Sequence, residues 1–455
     1  MRAESFATYK EALDWLHGLL RFGQKPGLER MQWMLEQLDH PERTLAFVHV
    51  AGTNGKGSVC SYIAQMLREA GYKTGEFTSP YLTDFRERIR YNGEWISEEA
   101  LLALANEIKP LVDRCAAETD YGAPTEFEVI TLMAILYFAR VVRPPVVVWE
   151  TGLGGRLDAT NVVFPLVTVI TNIGLDHTDV LGSTLQEIAQ EKAGIIKPGV
   201  PVVVGEQNPE ALEVIKSVAV SKRASVYARG NQFDAEPLEE QLGEQVFTYR
   251  SLYRRYPSTY RIRMNGEHQT ANAAVAIMAV DLLREFFSFL VEEEEMARGL
   301  ENTRWPGRLE IVSQQPLILL DGAHNAEGMA ALAASMAKLA PVQVRLHLLV
   351  AALADKPLVR MAETWRPLGD RLASVFVTSF DFPRAASAEK LHDALCTGGL
   401  DAGTVTTVPD WRSFLRTWID EGTAHRNDWL IVCGSLYYIA QVRSYLSILV
   451  EGAGE

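Results

Sequence analysis

The stretch AGTNGKGS, residues 51–58, decides the fold of this chain. It follows the apolar run 46–50, which is typical of a buried strand. It precedes residues 59–70, where apolar side chains recur at helical spacing and no proline intervenes. A strand, a glycine-rich turn and a helix together form the context that a phosphate-binding loop requires. The sequence therefore predicts a nucleotide-binding loop on the edge of a parallel sheet.

The chemistry of this loop follows from its residue types. Glycines let the backbone curl so that several N–H groups point at an anion, and the new helix adds its positive end. Lys56 can reach a terminal phosphate, and the Ser58 hydroxyl can bind magnesium. The alternative is a plain strand–helix turn, which a lysine and a serine in these places argue against. The residues that we expect to bind ATP here are Gly52, Thr53, Asn54, Gly55, Lys56, Gly57 and Ser58.

The loop differs from the commonest phosphate-loop pattern, G-x-x-x-x-G-K-[ST]. Val50 stands where that pattern has its first glycine, and Gly57 separates Lys56 from Ser58.

Length, charge and cysteine usage exclude several classes of protein. A chain of 455 residues is long enough for two or three domains. A net charge of −14 argues against nucleic-acid binding and against a membrane-surface protein. No apolar run is long enough to span a membrane, and charged residues interrupt the N-terminus where a signal core would lie, so we expect a cytoplasmic protein. The four cysteines are widely scattered and predict core residues rather than disulfides or a zinc site.

Polar residues also follow other predicted strands. Ser79 comes after the strand 73–78, and Glu150 ends the apolar strand 145–150. An unpaired carboxylate costs several kcal/mol to bury, so Glu150 is expected to bind magnesium, with a structural ion pair as the alternative. Ser79 is placed to help bind metal or nucleotide. His177 follows the strand 166–171, although a lone histidine is usually a capping or packing residue.

Aromatic and arginine residues follow Ser79 in the stretch 79–93, SPYLTDFRERIRYNG. Tyr81, Phe85 and Arg88 could hold a flat, negatively charged substrate. The alternative is a solvated loop whose arginines serve solubility.

Several segments together resemble the folylpolyglutamate synthases and dihydrofolate synthases, a branch of the Mur ligase superfamily. The form of the phosphate loop and the stretch 79–93 carry this resemblance, although the family often has histidine where Tyr81 stands. Further similar segments, in family order, are ETGLGGRLDATN (150–161), EKAGIIKP (191–198), HQTANA (268–273), WPGR (305–308) and DGAHN (321–325).

The resemblance implies roles for residues outside the phosphate loop. Asn272 is expected to contact the adenine, Arg308 the nucleotide phosphates and Asp321 the nucleotide. His324 is expected to bind the incoming glutamate. Ser435 is a further glutamate contact, because a glycine before a helix start makes an anion site.

The resemblance also implies two magnesium sites. His177 would bind the second magnesium, and Lys192 would be carbamylated, which turns a cation into a carboxylate-like metal ligand. The expected metal ligands are Ser58, Ser79, Glu150, His177 and Lys192, and the expected catalytic residues are Lys56, His177 and Lys192.

The predicted fold class is α/β. Residues 1–302 should form a P-loop ATPase-like parallel-sheet domain, in which the segment of about 205–262 is a peripheral antiparallel sheet. Proline and glycine after a helix mark a boundary near residue 302. Residues 303–455 should form a smaller, Rossmann-like α/β domain that binds glutamate.

The predicted function is ATP-dependent ligation of L-glutamate to a folate-type carboxylate through an acyl phosphate. The resemblance implies activity on dihydropteroate, tetrahydrofolate or both, and we expect a monomer that binds neither nucleic acid nor membranes. One alternative is a cell-wall ligase that acts on a UDP-muramyl acceptor, against which the stretch 79–93 argues. The other is a nucleotide-dependent binding or switch protein, against which the metal-type residues and the DGAHN strand end argue.

Overall fold

The computed structural model describes residues 5–22, 26–422 and 424–452. Its strands are β1 (Phe47–Ala51), β2 (Gly75–Phe77), β3 (Ile89–Tyr91), β4 (Glu94–Trp95), β5 (Val147–Glu150), β6 (Val167–Ile170), β7 (Val202–Val204), β8 (Val226–Ala228), β9 (Phe233–Gln241), β10 (Glu244–Ser251), β11 (Ser258–Ile262), β12 (Glu310–Gln314), β13 (Leu317–Leu320), β14 (Arg345–Val350), β15 (Leu372–Val377), β16 (Val405–Thr407) and β17 (Asp428–Cys433). Its α-helices are α1 (Tyr9–Gly18), α2 (Glu29–Glu36), α3 (Lys56–Glu69), α4 (Glu98–Glu118), α5 (Glu126–Leu136), α6 (Thr178–Leu181), α7 (Leu185–Ala193), α8 (Pro209–Ser221), α9 (Glu267–Phe287), α10 (Glu293–Asn302), α11 (Ala326–Leu339), α12 (Leu358–Glu363), α13 (Ala388–Thr397), α14 (Trp411–Asp420) and α15 (Leu436–Gly452).

The first eight strands form one sheet in the order β4-β3-β2-β5-β1-β6-β7-β8. From β2 to β8 along this order all neighbours are parallel, while β3 and β4 add an antiparallel edge. Val50 lies opposite Glu150, and Ala51 lies opposite Ile170. The carboxyl ends of these strands therefore meet at one edge, where ligands of open α/β sheets bind.

One face of this sheet is packed with aromatic side chains. The ring of Trp149 lies 5.3 Å from that of Phe47 and 4.5 Å from that of Phe77, measured between ring centroids. All three side chains are fully buried, in the same core as the apolar helix α5. This packing fixes β1, β2 and β5 side by side, and with them the loops at their carboxyl ends.

A second sheet has the order β12-β13-β17-β14-β15-β16. Only β12 is antiparallel to its neighbour. Leu320 lies opposite Val432, and Val350 lies opposite Cys433, so the segments 321–325 and 434–435 leave the sheet at the same edge. The predicted α/β class, with a large parallel-rich N-terminal sheet and a smaller C-terminal α/β sheet, is confirmed.

The prediction for residues 205–262 is wrong in its first part. Residues 209–221 form helix α8, and β8 joins the parallel sheet. The side chain of Asn208 accepts hydrogen bonds from the first-turn N–H groups of α8, and Pro209 occupies the first turn. Buried residues Ala211, Ile215 and Ala219 repeat every fourth position, which is helical spacing. Only β9, β10 and β11 form the expected separate sheet, in the order β11-β10-β9.

The chain divides into two compact units. The first comprises residues 1–235, 248–260 and 271–303, and the second comprises residues 236–247, 261–270 and 304–455. A single boundary does not describe this division, because two short segments before residue 303 belong to the second unit.

The four cysteines are free thiols, as predicted. Cys60, Cys115 and Cys433 are buried, and Cys396 is half-buried. None of the helices in the described part of the chain has the length and apolar character needed to cross a membrane.

A buried ion pair joins β10 and its following turn to helix α9 within the first unit. Arg254 Nη2 lies 3.0 Å from Asp281 Oδ1, and the two side chains are 7% and 0% exposed. Tyr249 also donates a hydrogen bond to Asp281. Burial raises the pKa of Asp281, and the neighbouring Arg254 opposes this rise.

The substitution Arg254→Ala should lower the free energy of unfolding by about 3–5 kcal/mol, because it leaves the Asp281 carboxylate buried without its main partner. Arg284→Ala is the matched control. Its side chain is 27% exposed and lies 3.7 Å from Asp281, so its loss should cost about 0–1 kcal/mol. Urea unfolding monitored by circular dichroism measures the free energy of unfolding of both variants. Equal stability of the two variants would show that Arg254 is not the main partner of Asp281.

Candidate active site

The phosphate-type loop is held in place by the close approach of Gly52 to Thr171. Gly52 has φ +154°, and a Cβ atom at this position would overlap Thr171 Oγ1. That hydroxyl donates a hydrogen bond to the carbonyl oxygen of Asn54 at 2.6 Å. Thr171 directly follows β6, so the end of that strand shapes the loop.

Further hydrogen bonds attach the loop to the segment after β6. The backbone N–H of Asn54 donates to Asn172 Oδ1 at 2.8 Å, and that of Thr53 donates to the Asn172 carbonyl at 2.9 Å. Thr53 Oγ1 donates to the carbonyl of Gly174 at 3.1 Å. The loop is therefore preorganised by its neighbouring strand.

Two lysines meet at the carbonyl oxygen of Gly52. Lys56 Nζ donates to it at 3.0 Å and also to the Thr53 carbonyl at 3.2 Å. Lys192 Nζ, from helix α7, donates to the same Gly52 oxygen at 2.7 Å. Lys192 is 4% exposed. The structure thus brings two of the three predicted catalytic residues together on the phosphate loop.

Ser79 and Glu150 also lie together at this edge. The backbone N–H of Ser79 donates to Glu150 Oε2 at 2.9 Å, and Glu150 is 2% exposed. Burial raises the pKa of the Cys60 thiol in helix α3, the charge of Glu150 raises it further, and that of Lys56 lowers it. Opposite charges from the β5 strand end and from the phosphate loop therefore both act on the first turns of α3.

The remaining predicted residues of the first unit lie around the loop or beyond it. Ser58 is buried in the first turn of α3. Asn272 lies against the loop, since a Cβ at Gly55 would be 2.5 Å from Asn272 Oδ1. His177 is exposed and adopts a left-handed backbone conformation just before α6.

The oxygen groups at this edge suit a hard divalent cation. Magnesium prefers carboxylate and hydroxyl oxygens, which Glu150, Ser58 and Ser79 carry. The described part of the chain holds no group of three or more His, Cys, Asp and Glu residues that could bind a metal. The predicted ligand set depends in addition on serines and on Lys192, so it remains a prediction.

The aromatic and arginine residues of segment 79–93 form one cluster. Tyr81 and Phe85 meet edge to face with ring centroids 5.6 Å apart. The Arg88 guanidinium lies over both rings, 5.2 Å from the centroid of Tyr81 and 5.1 Å from that of Phe85. Arg88 is 8% exposed and lies 3.6 Å from Glu126. The cluster thus presents ring faces and a buried cation.

Internal hydrogen bonds fix the shape of this segment. The Glu87 carboxylate accepts hydrogen bonds from the backbone N–H groups of Leu82, Thr83 and Asp84 at 2.9–3.0 Å. The Asp84 side chain accepts from the N–H of Arg86, and Asp84 and Glu87 together form a capping box. These bonds fix the backbone between Tyr81 and Phe85, whose rings meet edge to face.

In the second unit, polar residues collect at the carboxyl edge of the sheet. Asp321 Oδ2 accepts from the N–H of Leu309 at 2.9 Å, and its Oδ1 accepts from the N–H of Ala323 at 2.8 Å. His324 Nδ1 lies 2.7 Å from the carbonyl of Gly322. Ser435 is buried at the start of helix α15.

Backbone contacts join these turns to one another and to Arg308. The N–H of Gly434 donates to the carbonyl of Ala323 at 3.0 Å, which places Ser435 beside the DGAHN turn. A Cβ at Gly322 would lie 2.8 Å from Arg308 Nη1, so the guanidinium rests on this glycine. The structure therefore brings Arg308, Asp321, His324 and Ser435 together within the second unit.

Sequence reasoning missed the residues that support the site. It gave no role to Thr171 or Asn172, which shape the phosphate loop, and none to Asn265, which contacts Leu309. Thr171 and Asn172 carry a usable signal, because polar residues at the end of an apolar strand face the same edge as the neighbouring loop. Asn265 carries no such signal, since its partner is distant in the sequence.

From the sequence alone, Glu128 is open to two interpretations, a residue that faces the site or an N-terminal glutamate that the helix dipole favours. The structure shows a capping box in which Glu128 pairs with Thr125, and Arg30 Nε donates to the same carboxylate at 2.9 Å. Glu128 therefore caps and anchors helix α5.

Comparison of the sequence with known proteins identifies the family of this chain. A family model described as the Mur ligase middle domain matches residues 50–280, and one described as the Mur ligase glutamate ligase domain matches residues 307–436. The dihydrofolate synthase/folylpolyglutamate synthase of Bacillus subtilis (strain 168) is 43% identical over 97% of this chain and 100% of its own length. The chain belongs to the folylpolyglutamate synthase/dihydrofolate synthase family of Mur ligases.

Solved structures of folylpolyglutamate synthases have the same fold as this chain. Mycobacterium tuberculosis folylpolyglutamate synthase, complexed with ADP and AMPPCP, has a TM-score of 0.85 and 31% identity, covering 96% of this chain and 99% of that one. A bifunctional folylpolyglutamate synthase/dihydrofolate synthase with Mn, AMPPNP and L-glutamate bound has a TM-score of 0.81 and 30% identity. The match covers 98% of this chain and 100% of that one. The resemblance drawn from the motifs is confirmed.

The substitution Gly52→Ala should weaken ADP binding at least about tenfold, because the added methyl overlaps Thr171 Oγ1 and displaces the loop. Gly18→Ala is the control, since a Cβ there meets nothing within 4 Å. Titration calorimetry with ADP measures the affinities, and circular dichroism checks the fold. Binding by the Gly52→Ala variant at the wild-type affinity would show that the loop does not hold the nucleotide.

Proposed function

We propose that this chain, an ATP-dependent folate–glutamate ligase by its family, performs phosphoryl transfer at the phosphate loop of its first unit and binds glutamate with its second. The observation that supports this most strongly is the meeting of Lys56 and Lys192 at the Gly52 carbonyl, on the sheet edge that also carries Ser79 and Glu150. A phosphate loop alone would suit hydrolysis or switching. The additional metal-type residues favour a phosphoryl transfer that also organises an acceptor.

The first step transfers the γ-phosphoryl group of ATP to a carboxylate oxygen of the folate-type substrate, which gives an acyl phosphate and ADP. Lys56 leaves its carbonyl partners and contacts the terminal phosphate, where its charge offsets the negative charge that spreads over the transferring group. Backbone N–H groups of residues 52–58 and the N-terminal end of α3 hold the remaining phosphate oxygens. Asn272, beside Gly55, contacts the adenine, and Arg308 and Asp321 contact the nucleotide.

Magnesium would be held by oxygen groups of this edge. Ser58, Ser79 and Glu150 supply a first site, and His177 with carbamylated Lys192 completes a second. Bound magnesium neutralises phosphate charge and orients the acceptor. These residues supply hydroxyl, carboxylate and imidazole groups, which fits the donor chemistry of such a site.

The folate-type substrate binds at the Tyr81, Phe85 and Arg88 cluster. Flat rings pack well against aromatic faces, and a buried guanidinium attracts a carboxylate. Arg88 lies over both rings, so one group can contribute stacking and charge. Tyr81 takes the place where the family often has histidine, which retains an aromatic face.

The second step forms the amide. The α-amine of L-glutamate attacks the acyl carbon, the C–O bond to phosphate breaks, inorganic phosphate leaves and the amine loses a proton. His324 and Ser435 hold the glutamate in the second unit. The buried Ser435 at the N-terminal end of α15 and the imidazole of His324 suit a carboxylate ligand.

Dihydropteroate and tetrahydrofolates are both expected as acceptors, as the double names of the relatives suggest. Functionally, residues 1–302 serve ATP and folate, and residues 303–455 serve glutamate and contribute Arg308 and Asp321 to the nucleotide. The monomeric state, the cytoplasmic location and the absence of nucleic-acid and membrane partners remain predictions. Size-exclusion chromatography with light scattering tests the first of these.

Lys56→Ala should lower glutamate-dependent ADP release by at least about 100-fold, because the group that stabilises the transferring phosphoryl is lost. Lys73→Ala, at an exposed lysine after α3, should keep the wild-type rate. A coupled ADP assay with tetrahydrofolate and L-glutamate measures both. A folded Lys56→Ala enzyme that ligates at a near-normal rate would defeat the assignment.

The choice of acceptor separates this function from its alternatives. ADP release that requires glutamate together with dihydropteroate or tetrahydrofolate supports the folate ligase. Release that requires a UDP-muramyl acceptor would identify a cell-wall ligase. ATP turnover that needs no acceptor would favour a nucleotide-dependent switch.

Carbamylation of Lys192 is tested by isotope labelling. The neutral amine of Lys192 adds to carbon dioxide, forms an N–C bond and loses a proton, so the product is an anionic carbamate. In ¹³C-bicarbonate, the protein should show a carbamate carbon resonance that Lys192→Arg removes. Lys197→Arg is a demanding control, because burial lowers the pKa of Lys197 to about 8 and leaves part of this amine neutral. If the resonance is lost in Lys197→Arg and persists in Lys192→Arg, the carbamate forms on Lys197, and the proposal for Lys192 is wrong.

A further inference from the structure

The backbone beside Arg308 is held in an unfavourable conformation. Leu309 has φ +44°, in the left-handed region that residues other than glycine, asparagine and aspartate rarely occupy. Such conformations persist only where surrounding contacts impose them, and they cluster at functional sites. Leu309 is also buried, at 1% exposure, so its side chain cannot move freely.

Two buried side chains hold Leu309 from opposite sides. Asp321 Oδ2 accepts a hydrogen bond from the Leu309 N–H at 2.9 Å, and Asn265 Nδ2 donates to the Leu309 carbonyl at 2.8 Å. Asn265 is itself fixed, because its Oδ1 accepts from the N–H of Gly243 at 2.6 Å. Asn265 and Asp321 are 4% and 7% exposed. We name this pair, with the Leu309 backbone between them, the Leu309 bracket.

The residue on the other side of Arg308 is fixed as well. The carbonyl of Gly307 accepts from the N–H of Gly322 at 2.8 Å, and the N–H of Gly307 donates to Glu310 Oε2 at 2.8 Å. Arg443 Nε donates to the same Glu310 carboxylate at 3.0 Å. Both backbone neighbours of Arg308 are therefore immobilised, while its guanidinium rests on Gly322.

We infer that Asn265 is a positioning residue for Arg308, on which it acts through the backbone of Leu309. Asp321, which the proposed function places against the nucleotide, holds the Leu309 N–H from the other side. This inference rests on the proposed function, in which Arg308 contacts the nucleotide. Both carboxylate oxygens of Asp321 already accept backbone N–H groups, from Leu309 and Ala323, so the carboxylate is engaged in shaping the turn. If the bracket is broken, Leu309 relaxes toward negative φ, and the Arg308 side chain turns away from its place on Gly322.

Arg308 lies close enough to His268 for its charge to act on that imidazole. Burial lowers the pKa of the neighbouring His268, the charge of Asp321 opposes this, and the charge of Arg308 adds to it. The charges of Arg308 and Asp321 therefore both act on the His268 imidazole.

A mutant cycle with kinetic readouts tests the bracket. Asn265→Ala should raise the KM for ATP roughly five- to thirtyfold, as Arg308→Ala does, with a smaller effect on the KM for glutamate. The double variant Asn265→Ala/Arg308→Ala should have the KM for ATP of Arg308→Ala alone, because the bracket has nothing left to position. Asn265→Asp, which keeps the acceptor for the Gly243 N–H but loses the donor to the Leu309 carbonyl, repeats the test and serves where Asn265→Ala fails to fold.

Asn106→Ala is the matched control. Asn106 braces Phe6 in the same manner, since its Oδ1 accepts from the Phe6 N–H at 2.7 Å and its Nδ2 donates to the Phe6 carbonyl at 3.0 Å. Its removal should lower the melting temperature and leave the KM for ATP unchanged.

Three results would overturn the inference. The first is an Asn265→Ala enzyme that, like Asn106→Ala, is less stable but keeps its KM for ATP. The second is a double variant in which the two KM effects multiply. The third is an unchanged KM for ATP in Arg308→Ala, which removes the premise that Arg308 contacts the nucleotide. Folate-dependent ligation by Lys56 would stand in that third case, so the two failures are distinguishable.

Discussion

The site in the first unit depends on the close approach of Gly52 to the end of β6. Because residue 52 has no Cβ, Thr171 can reach the loop, and the Gly52 carbonyl is free to accept hydrogen bonds from Lys56 and Lys192. Two ammonium groups at one oxygen repel each other, and this repulsion is strong where water is scarce. A bound triphosphate would balance this charge, and so would the carbamate proposed for Lys192.

In the second unit, contacts to the backbone fix the turns that carry the predicted site residues. The Asp321 carboxylate accepts hydrogen bonds from two backbone N–H groups. Gly322 and Gly434 let neighbouring turns approach closely. Rigid strand ends then present His324, Ser435 and Arg308 with little freedom. In both units, the side chains with proposed chemical roles lie on turns that other side chains have fixed, which is what a preorganised site requires.

The success of sequence reasoning varied with the range of the interaction. It found the phosphate loop and the cluster of Tyr81, Phe85 and Arg88, because the residues of each are close in the chain. It misjudged residues 209–221, where Asn208, Pro209 and the four-residue repeat of Ala211, Ile215 and Ala219 indicate a helix that was read as strand. It also left Glu128 undecided, since the deciding partner, Arg30, lies far away in the sequence. The metal ligands and the glutamate contacts stay predictions that depend on bound molecules.

The sequence by itself determined the α/β class, the strand–turn–helix of residues 46–70 and the family, because these depend on local periodicity and on contiguous motifs. Only the tertiary structure decided that Lys192 meets Lys56 at one carbonyl, that Ser79 contacts Glu150 and that Asn265 holds Leu309. The physical reason is that strand order and register bring these pairs together. No local pattern encodes a contact between residues separated by dozens of positions along the chain.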